Sequence, residues 1–287
     1  MRRRRTLQGF TLVELLVVIA IIGVLVSMSI PAVQASREMG RRNQCRANLA
    51  QLMLAMQNYE NAFESFPAGV LNPDGPIRSE PIGHHQSWLV QMLPYVDEGN
   101  AYRLLDLSES VYDAKNAPVR ALSPNLFICP TEPNDRPGTS NYAGCHHDVE
   151  SPIDTDNHGV LFLNSHVRRL DITDGSSHTL VVGEKRMDND DLGWMSGTRA
   201  ALRNTGLPPN DLRSSASAWP NSASAPADAA PRAVAYVGGF ASAHTNGVMT
   251  GFADASVRFI AEDIDMQVWQ QLGHRADGKL LKTDLRD

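Results

Sequence analysis

Only three of the 287 residues are cysteine, so at most one internal disulfide can form and one thiol is left over. Positive charge is equally scarce beyond the amino terminus. Four of the 26 Lys and Arg are Arg2, Arg3, Arg4 and Arg5, and the rest of the chain sets 22 basic residues against 32 acidic ones, a net charge of about −10. An acidic body of this kind argues against nucleic acid as a partner. No internal repeat is visible, and no acidic stretch has the full spacing of an EF-hand loop. From Leu15 to Ser36 charge is missing altogether. That run of about 22 residues would reach about 33 Å as a helix, enough to cross a bilayer.

What is present gives this apolar run a direction. The four arginines before it are expected to stay cytoplasmic, which places everything after it in the periplasm or outside the cell. Glu14, immediately before the run and inside the apolar helix it continues, is not explained by a plain anchor, because a carboxylate in an apolar helix costs about 2.5–3.5 kcal/mol unless it is paired or snorkels to the headgroups. A secretory signal cut after Val33-Gln34-Ala35 is a rival reading, but the apolar segment is longer than a signal core of roughly 7–15 residues and has Glu14 at its start. An uncut anchor is a second rival. The segment Gly9-Phe10-Thr11-Leu12-Val13-Glu14 closely resembles the type IV prepilin processing site. That resemblance implies cleavage after Gly9 by a prepilin peptidase and methylation of the new terminus at Phe10. It also implies that Glu14 pairs with the terminal amine of a neighbouring subunit during assembly. An ammonium group at that depth is the counter-ion the carboxylate needs.

Beyond the apolar run, Cys45, Leu49, Leu52, Met56, Tyr59 and Phe63 recur at helical spacing. Arg41, Arg42, Arg46, Gln51, Gln57 and Glu60 fall on the other side, so the outer half of a long helix should lie against a globular domain. Gly23 and Pro31 are the expected bend points. A second helical region interrupted by Pro94 is expected around Trp88–Leu105. Strands are expected at Leu126–Cys129, Gly159–Phe162, Thr179–Glu184 and Val234–Val237, with a hairpin of Val248–Ala253 and Ser256–Ile260 reversing at Asp254-Ala255. Gly206–Arg232, rich in Ser, Ala and Pro, reads as a long surface loop. A short helix over Ile264–Leu272 and a last strand at Lys279–Leu281 complete an α+β fold. The expected organisation is a leader over 1–9, a transmembrane and assembly helix over 10–36, and one globular domain over 37–287. In that pilin-like arrangement the long helix packs on a mainly antiparallel sheet.

The resemblance extends along almost the whole chain to a large bacterial family of unknown function that joins a prepilin-type start to a domain ending in a His-x9-Asp-Gly signature. It rests on Cys45-Arg46-Ala47-Asn48-Leu49, Phe127-Ile128-Cys129-Pro130, Asn141-Tyr142-Ala143-Gly144, Ile172–Leu180, Gly183-Glu184-Lys185, and His244 followed by Asp254. This chain departs from the signature at Ala255, where the family has glycine. The resemblance implies architecture and location; it supplies no reaction.

Candidate chemistry is correspondingly thin. His244 and Asp254 offer a ligand pair or an acid–base pair, but a histidine and a turn aspartate that fix a hairpin by backbone bonds is the stronger reading. Asp174, Ser176, Ser177 and His178 have the residue types of a hydrolase triad without its separation in the chain. Asp154, Asp156 and His158, with His146, His147 and Asp148 nearby, reach no complete metal motif and read as a solvated loop. Asp188, Asn189, Asp190 and Asp191 offer oxygen ligands for calcium, though a solvated loop is again the stronger reading. Among the cysteines, Cys45–Cys129 would tie helix to sheet and is preferred slightly over Cys129–Cys145. The expected function is non-enzymatic: a membrane-anchored subunit of a type IV pilus-like or type II secretion-like assembly, whose partners are the prepilin peptidase, other pilin-like subunits and membrane lipid. A membrane-tethered envelope or glycan-binding module is the alternative, and a tethered hydrolase a weaker one.

Overall fold

The computed structural model describes residues 12–132, 136–188, 190–211 and 234–279. The leader with Gly9 lies outside them, as do Phe10, Thr11, Asn189, 212–233 of the expected long loop, and Leu280 and Leu281. The chain divides into two compact units, Met1–Asn43 and Gln44–Asp287.

The first unit is helical from Leu12, the start of α1 (Leu12–Phe63), and has Glu14 in the first turn. Its apolar side chains from Leu12 to Val33 are exposed, and the helix is long and apolar enough to cross a membrane. Pro31 sits inside α1 without ending it. Nearby hydroxyls turn back onto the helix, Ser27 Oγ donating to the Val24 carbonyl and Ser29 Oγ to that of Leu25, each at 2.8 Å.

In the second unit the remainder of α1 buries Cys45, Asn48, Leu49, Leu52, Met53, Ala55 and Met56. This is the apolar face expected from the spacing, except that Tyr59 is only half-buried and Phe63 is exposed. A two-stranded ribbon pairs β1 (Val70–Leu71) with β2 (Gln86–Ser87). The chain continues through α2 (Trp88–Met92), a tight turn containing Pro94, α3 (Gly99–Arg103) and α4 (Ala117–Arg120). The main sheet comprises β3 (Tyr142–His147), β4 (Leu180–Glu184), β5 (Leu202–Asn204), β6 (Gly247–Phe252) and β7 (Val257–Ala261) in the order β5-β3-β4-β6-β7. Every pairing is antiparallel except β3 with β5. The last described helix is α5 (Met266–Gly273), capped by Asp265, whose carboxylate accepts from the amides of Gln267 and Val268.

Two cores flank the sheet. Leu49, Leu52, Met53 and Met56 of α1 pack with Tyr142, Val182, Leu202 and Met249, while Trp269 and Leu272 of α5 pack with Ala143, Cys145, Leu180, Val248 and Phe252. Side-chain alternation along β3 and β6 produces this division. The result is an α+β architecture with a long N-terminal helix and a mainly antiparallel sheet, as in pilins.

Three expected strands are absent from the described residues. Leu126–Cys129 forms a one-turn helix over Asn125–Phe127 between Pro124 and Pro130. Gly159–Phe162 is irregular, although its Gly159 and Leu161 amides bond to the His146 and Cys145 carbonyls. Val234 and Ala235 are helical, Tyr236 and Val237 irregular, and Lys279 is irregular. The hairpin reversal is longer than two residues: Ala253–Ser256 connects β6 to β7, with Ala255 at φ 69°.

Candidate functional site

Four chemically reactive side chains from distant parts of the second unit meet under the sheet. Cys45 comes from the buried face of α1, Cys129 from the extended segment after the Asn125–Phe127 turn, Glu184 from the end of β4, and His244 from the loop leading into β6. All four are buried, and one ligand atom from each lies within 4.8 Å of the others. Cys129 Sγ is 3.5 Å from His244 Nε2, and that nitrogen is 3.6 Å from Glu184 Oε1.

Each group is held from behind. The Cys129 amide donates to Asn141 Oδ1 at 2.8 Å, and the Asn141 amide returns a bond of 2.8 Å to the Phe127 carbonyl. Thr131 Oγ1 is 3.4 Å from His244 Nδ1, which leaves Nε2 facing the cluster, and the His244 amide donates to Ser242 Oγ. Glu184 Oε2 accepts the Met249 amide of the adjacent strand β6 at 2.9 Å, whereas its buried Oε1 accepts no hydrogen bond. On the helix side, the Cys45 carbonyl accepts from Tyr142 Oη at 3.3 Å.

The electrostatics follow from this packing. A hydrogen bond from Cys45 holds the Cys129 thiol below the usual thiol range, opposed by burial and assisted by His244. The same contact, with burial, pushes the Cys45 thiol up. Burial, and then the nearby Cys129 sulfur, pushes the Glu184 carboxyl up to about 7. Sulfur and carboxylate thus compete for negative charge in a space closed to water.

The other sequence-derived candidates have other partners. Cys145 lies in the α5 core, its thiol directed at the carbonyls of His147 and Gly273. Asp254 occupies the β6–β7 connection and accepts the Ser256 amide at 2.9 Å, so it and His244 are held by different groups. The alternating Asp154, Asp156 and His158 do not converge. Instead His158 joins His147 and Asp148, with both imidazole Nδ1 atoms on one oxygen of Asp148, at 2.6 and 2.9 Å. The acidic run is solvated only in part: Asp190 is exposed, whereas the side chains of Asp188 and Asp191 are buried against Arg203 and Lys185. Asp174 accepts the amides of Asp277 and Gly278, while Ser177 Oγ lies 3.3 Å from the exposed His178.

Glu184 had no assigned role in the sequence beyond its place in the resembling Gly183-Glu184-Lys185 stretch. The available signal was a carboxylate ending an otherwise apolar strand, Leu180-Val181-Val182-Gly183.

Comparison with known proteins agrees with the architecture. Residues 4–30 match the prokaryotic N-terminal methylation motif. The type II secretion system core protein G of Pectobacterium carotovorum subsp. carotovorum is 30% identical over 104 residues, covering 34% of this chain and 67% of that protein. The protein of the same name from Aeromonas hydrophila is 27% identical over 110 residues, covering 37% and 76%. No solved structure matches. Residues 34–267 match the family described as "Protein of unknown function (DUF1559)". With that match spanning most of its length behind a methylation-motif start, the chain belongs to this family and is a pilin-like protein.

Proposed function

We propose that the protein is an exported, membrane-anchored structural subunit of a pilus-like or type II secretion-like assembly. The observation that carries this reading is the composition of the first unit. From Leu12 to Ser36 its only charged residue is Glu14, in the first turn of a helix long enough to span a bilayer. A membrane anchor needs no carboxylate there, whereas an assembling subunit uses it to hold the ammonium group of its neighbour. Prepilin peptidase cuts between Gly9 and Phe10, the new terminus is methylated, the arginines remain cytoplasmic, and the second unit stands outside the membrane. Pilin-like neighbours and lipid share the apolar helix. The methylation motif and the secretion-system relatives support this reading.

The test is intact-protein mass spectrometry of the membrane-extracted chain combined with a Glu14→Leu variant. A mature chain beginning at methylated Phe10 is expected. Glu14→Leu should still be cut and inserted, but should lose cross-linking to neighbouring subunits. A mature chain beginning at Ser36, an uncut Met1, or unchanged cross-linking in Glu14→Leu would overturn the proposal.

A further inference from the structure

We infer that Cys45, Cys129, His244 and Glu184 form a closed four-ligand site for a zinc-class divalent metal ion, buried between α1 and the sheet. Two sulfurs, an imidazole nitrogen and a carboxylate oxygen are a donor set suited to zinc, which takes thiolate, imidazole and carboxylate in tetrahedral structural sites. The spacing fits as well. Metal–sulfur bonds of about 2.3 Å and metal–nitrogen bonds of about 2.0 Å at the tetrahedral angle put sulfur and nitrogen about 3.5 Å apart, and Cys129 Sγ lies 3.5 Å from His244 Nε2. Glu184 Oε1 is buried, points at the same nitrogen from 3.6 Å and accepts no hydrogen bond, so an ion between them would satisfy it.

The supporting contacts have the form that metal ligands require. His244 faces the cluster through Nε2 while Nδ1 meets Thr131, Glu184 is anchored through its other oxygen by the Met249 amide, and Cys129 is fixed by Asn141. A Cys45–Cys129 disulfide would use the same two sulfurs, so the metal site and the disulfide are mutually exclusive. The His147–Asp148–His158 group is a weaker candidate, because its carboxylate oxygen is already shared by the two imidazoles. With four protein ligands and no opening to water, the role is structural: the ion fastens α1, the Cys129 segment, β4 and the β6 approach to one point.

The experiment uses the full chain, extracted in detergent and purified without chelator. Metal content is measured first, then zinc is exchanged for cobalt(II) and the absorption spectrum recorded. One zinc per chain is expected, with all three thiols alkylated after denaturation in chelator, and a cobalt form showing thiolate-to-cobalt charge transfer and the strong visible bands of four-coordinate cobalt. Cys129→Ser should abolish the charge-transfer pattern, Glu184→Gln should weaken cobalt binding roughly tenfold or more, and Cys145→Ser should leave both unchanged. If Cys129→Ser does not fold, the wild-type spectrum and thiol count still decide. A mapped Cys45–Cys129 disulfide would overturn the inference. So would a zinc-incubated chain without metal, or a cobalt spectrum lacking thiolate bands.

Discussion

At the scale of single residues, backbone geometry settles what the turn after β6 requires. Ala255 sits at φ 69°, where a Cβ is strained, and Asp254 accepts the Ser256 amide. Ala255→Gly should therefore raise stability by about 0.5–1 kcal/mol. Asp254→Ala should lower it by about 0.5–2 kcal/mol through loss of a local side-chain to backbone bond. Thermal melts of the detergent-solubilised chain read both, and a loss of stability in Ala255→Gly would contradict the strain argument. The positive φ was legible in the sequence, since alanine stood where the resembling family has glycine and two β-rich runs had to reverse. The place of His244 was not. The three residues it meets in the cluster are 60 to about 200 positions away, and a histidine between Ala243 and Thr245 carries no local mark of what it will face.

At the scale of elements, the packing of α1 on the sheet turns on one missing side chain. A Cβ at Gly251 would come within 2.6 Å of Met53 Cγ and Sδ, atoms fully buried in the helix–sheet core. Gly251→Ala should cost about 1–3 kcal/mol, as overpacking does. In a double-mutant cycle with Met53→Ala the two changes should be less than additive, because the smaller side chain makes room for the methyl group. Additive losses would show that Met53 is not what Gly251 accommodates. The polar side of α1 is tied down too: Gln57 Nε2 donates to the Ala253 carbonyl at 3.0 Å, and Arg169 pairs with Glu60 at 2.8 Å.

The contrast between β3 and the expected strands shows why periodicity reached only part of the sheet. Leu180–Glu184 was visible because apolar, β-branched residues dominate it. Tyr142-Ala143-Gly144-Cys145-His146-His147 has no β-branched residue, yet all six are buried between β4 and β5. Neighbours on both edges, and Leu161 packed where a Cβ at Gly144 would lie, decide its conformation. Leu126–Cys129 had strand composition, but the flanking prolines and the one-turn helix between them left it no ladder to join. The helix was more legible than the sheet because its partners in periodicity are three and four residues away, whereas β4 finds β6 only across more than sixty positions.

At the scale of the whole molecule, two buried histidines make stability depend on pH. Burial pulls His85 down to about 4 and His146 down to about 3. His85 Nδ1 is 2.8 Å from Tyr112 Oη, and His146 Nδ1 is 3.0 Å from Asn157 Oδ1. Both are neutral in the folded chain and take up a proton on unfolding below about pH 6.5, so the unfolded state binds more protons and stability falls with falling pH. The His85 contribution is complete above about pH 6.5 and is lost progressively down to about pH 4, at most roughly 3 kcal/mol over that window. Denaturant melts at pH 7, 5.5 and 4.5 should show this slope, and His85→Asn, which also tolerates the residue's φ of 49°, should make it shallower. An unchanged slope would mean that His85 does not titrate on unfolding.

The convergence of residues 45, 129, 184 and 244 also has a meaning in time. A chain made from its amino end presents Cys45 almost at once, yet the last of its three companions arrives only when most of the sequence has followed. Until β6 settles beside β4 and brings the His244 loop with it, the cluster is incomplete and its sulfurs remain within reach of solvent. Closure of this one small space therefore requires helix, sheet and the approach to the final hairpin together. A chain that stopped short of residue 244 would also lack the β6 and α5 side chains that cover Cys145, and would be distinguishable by three reachable thiols from one that had finished folding.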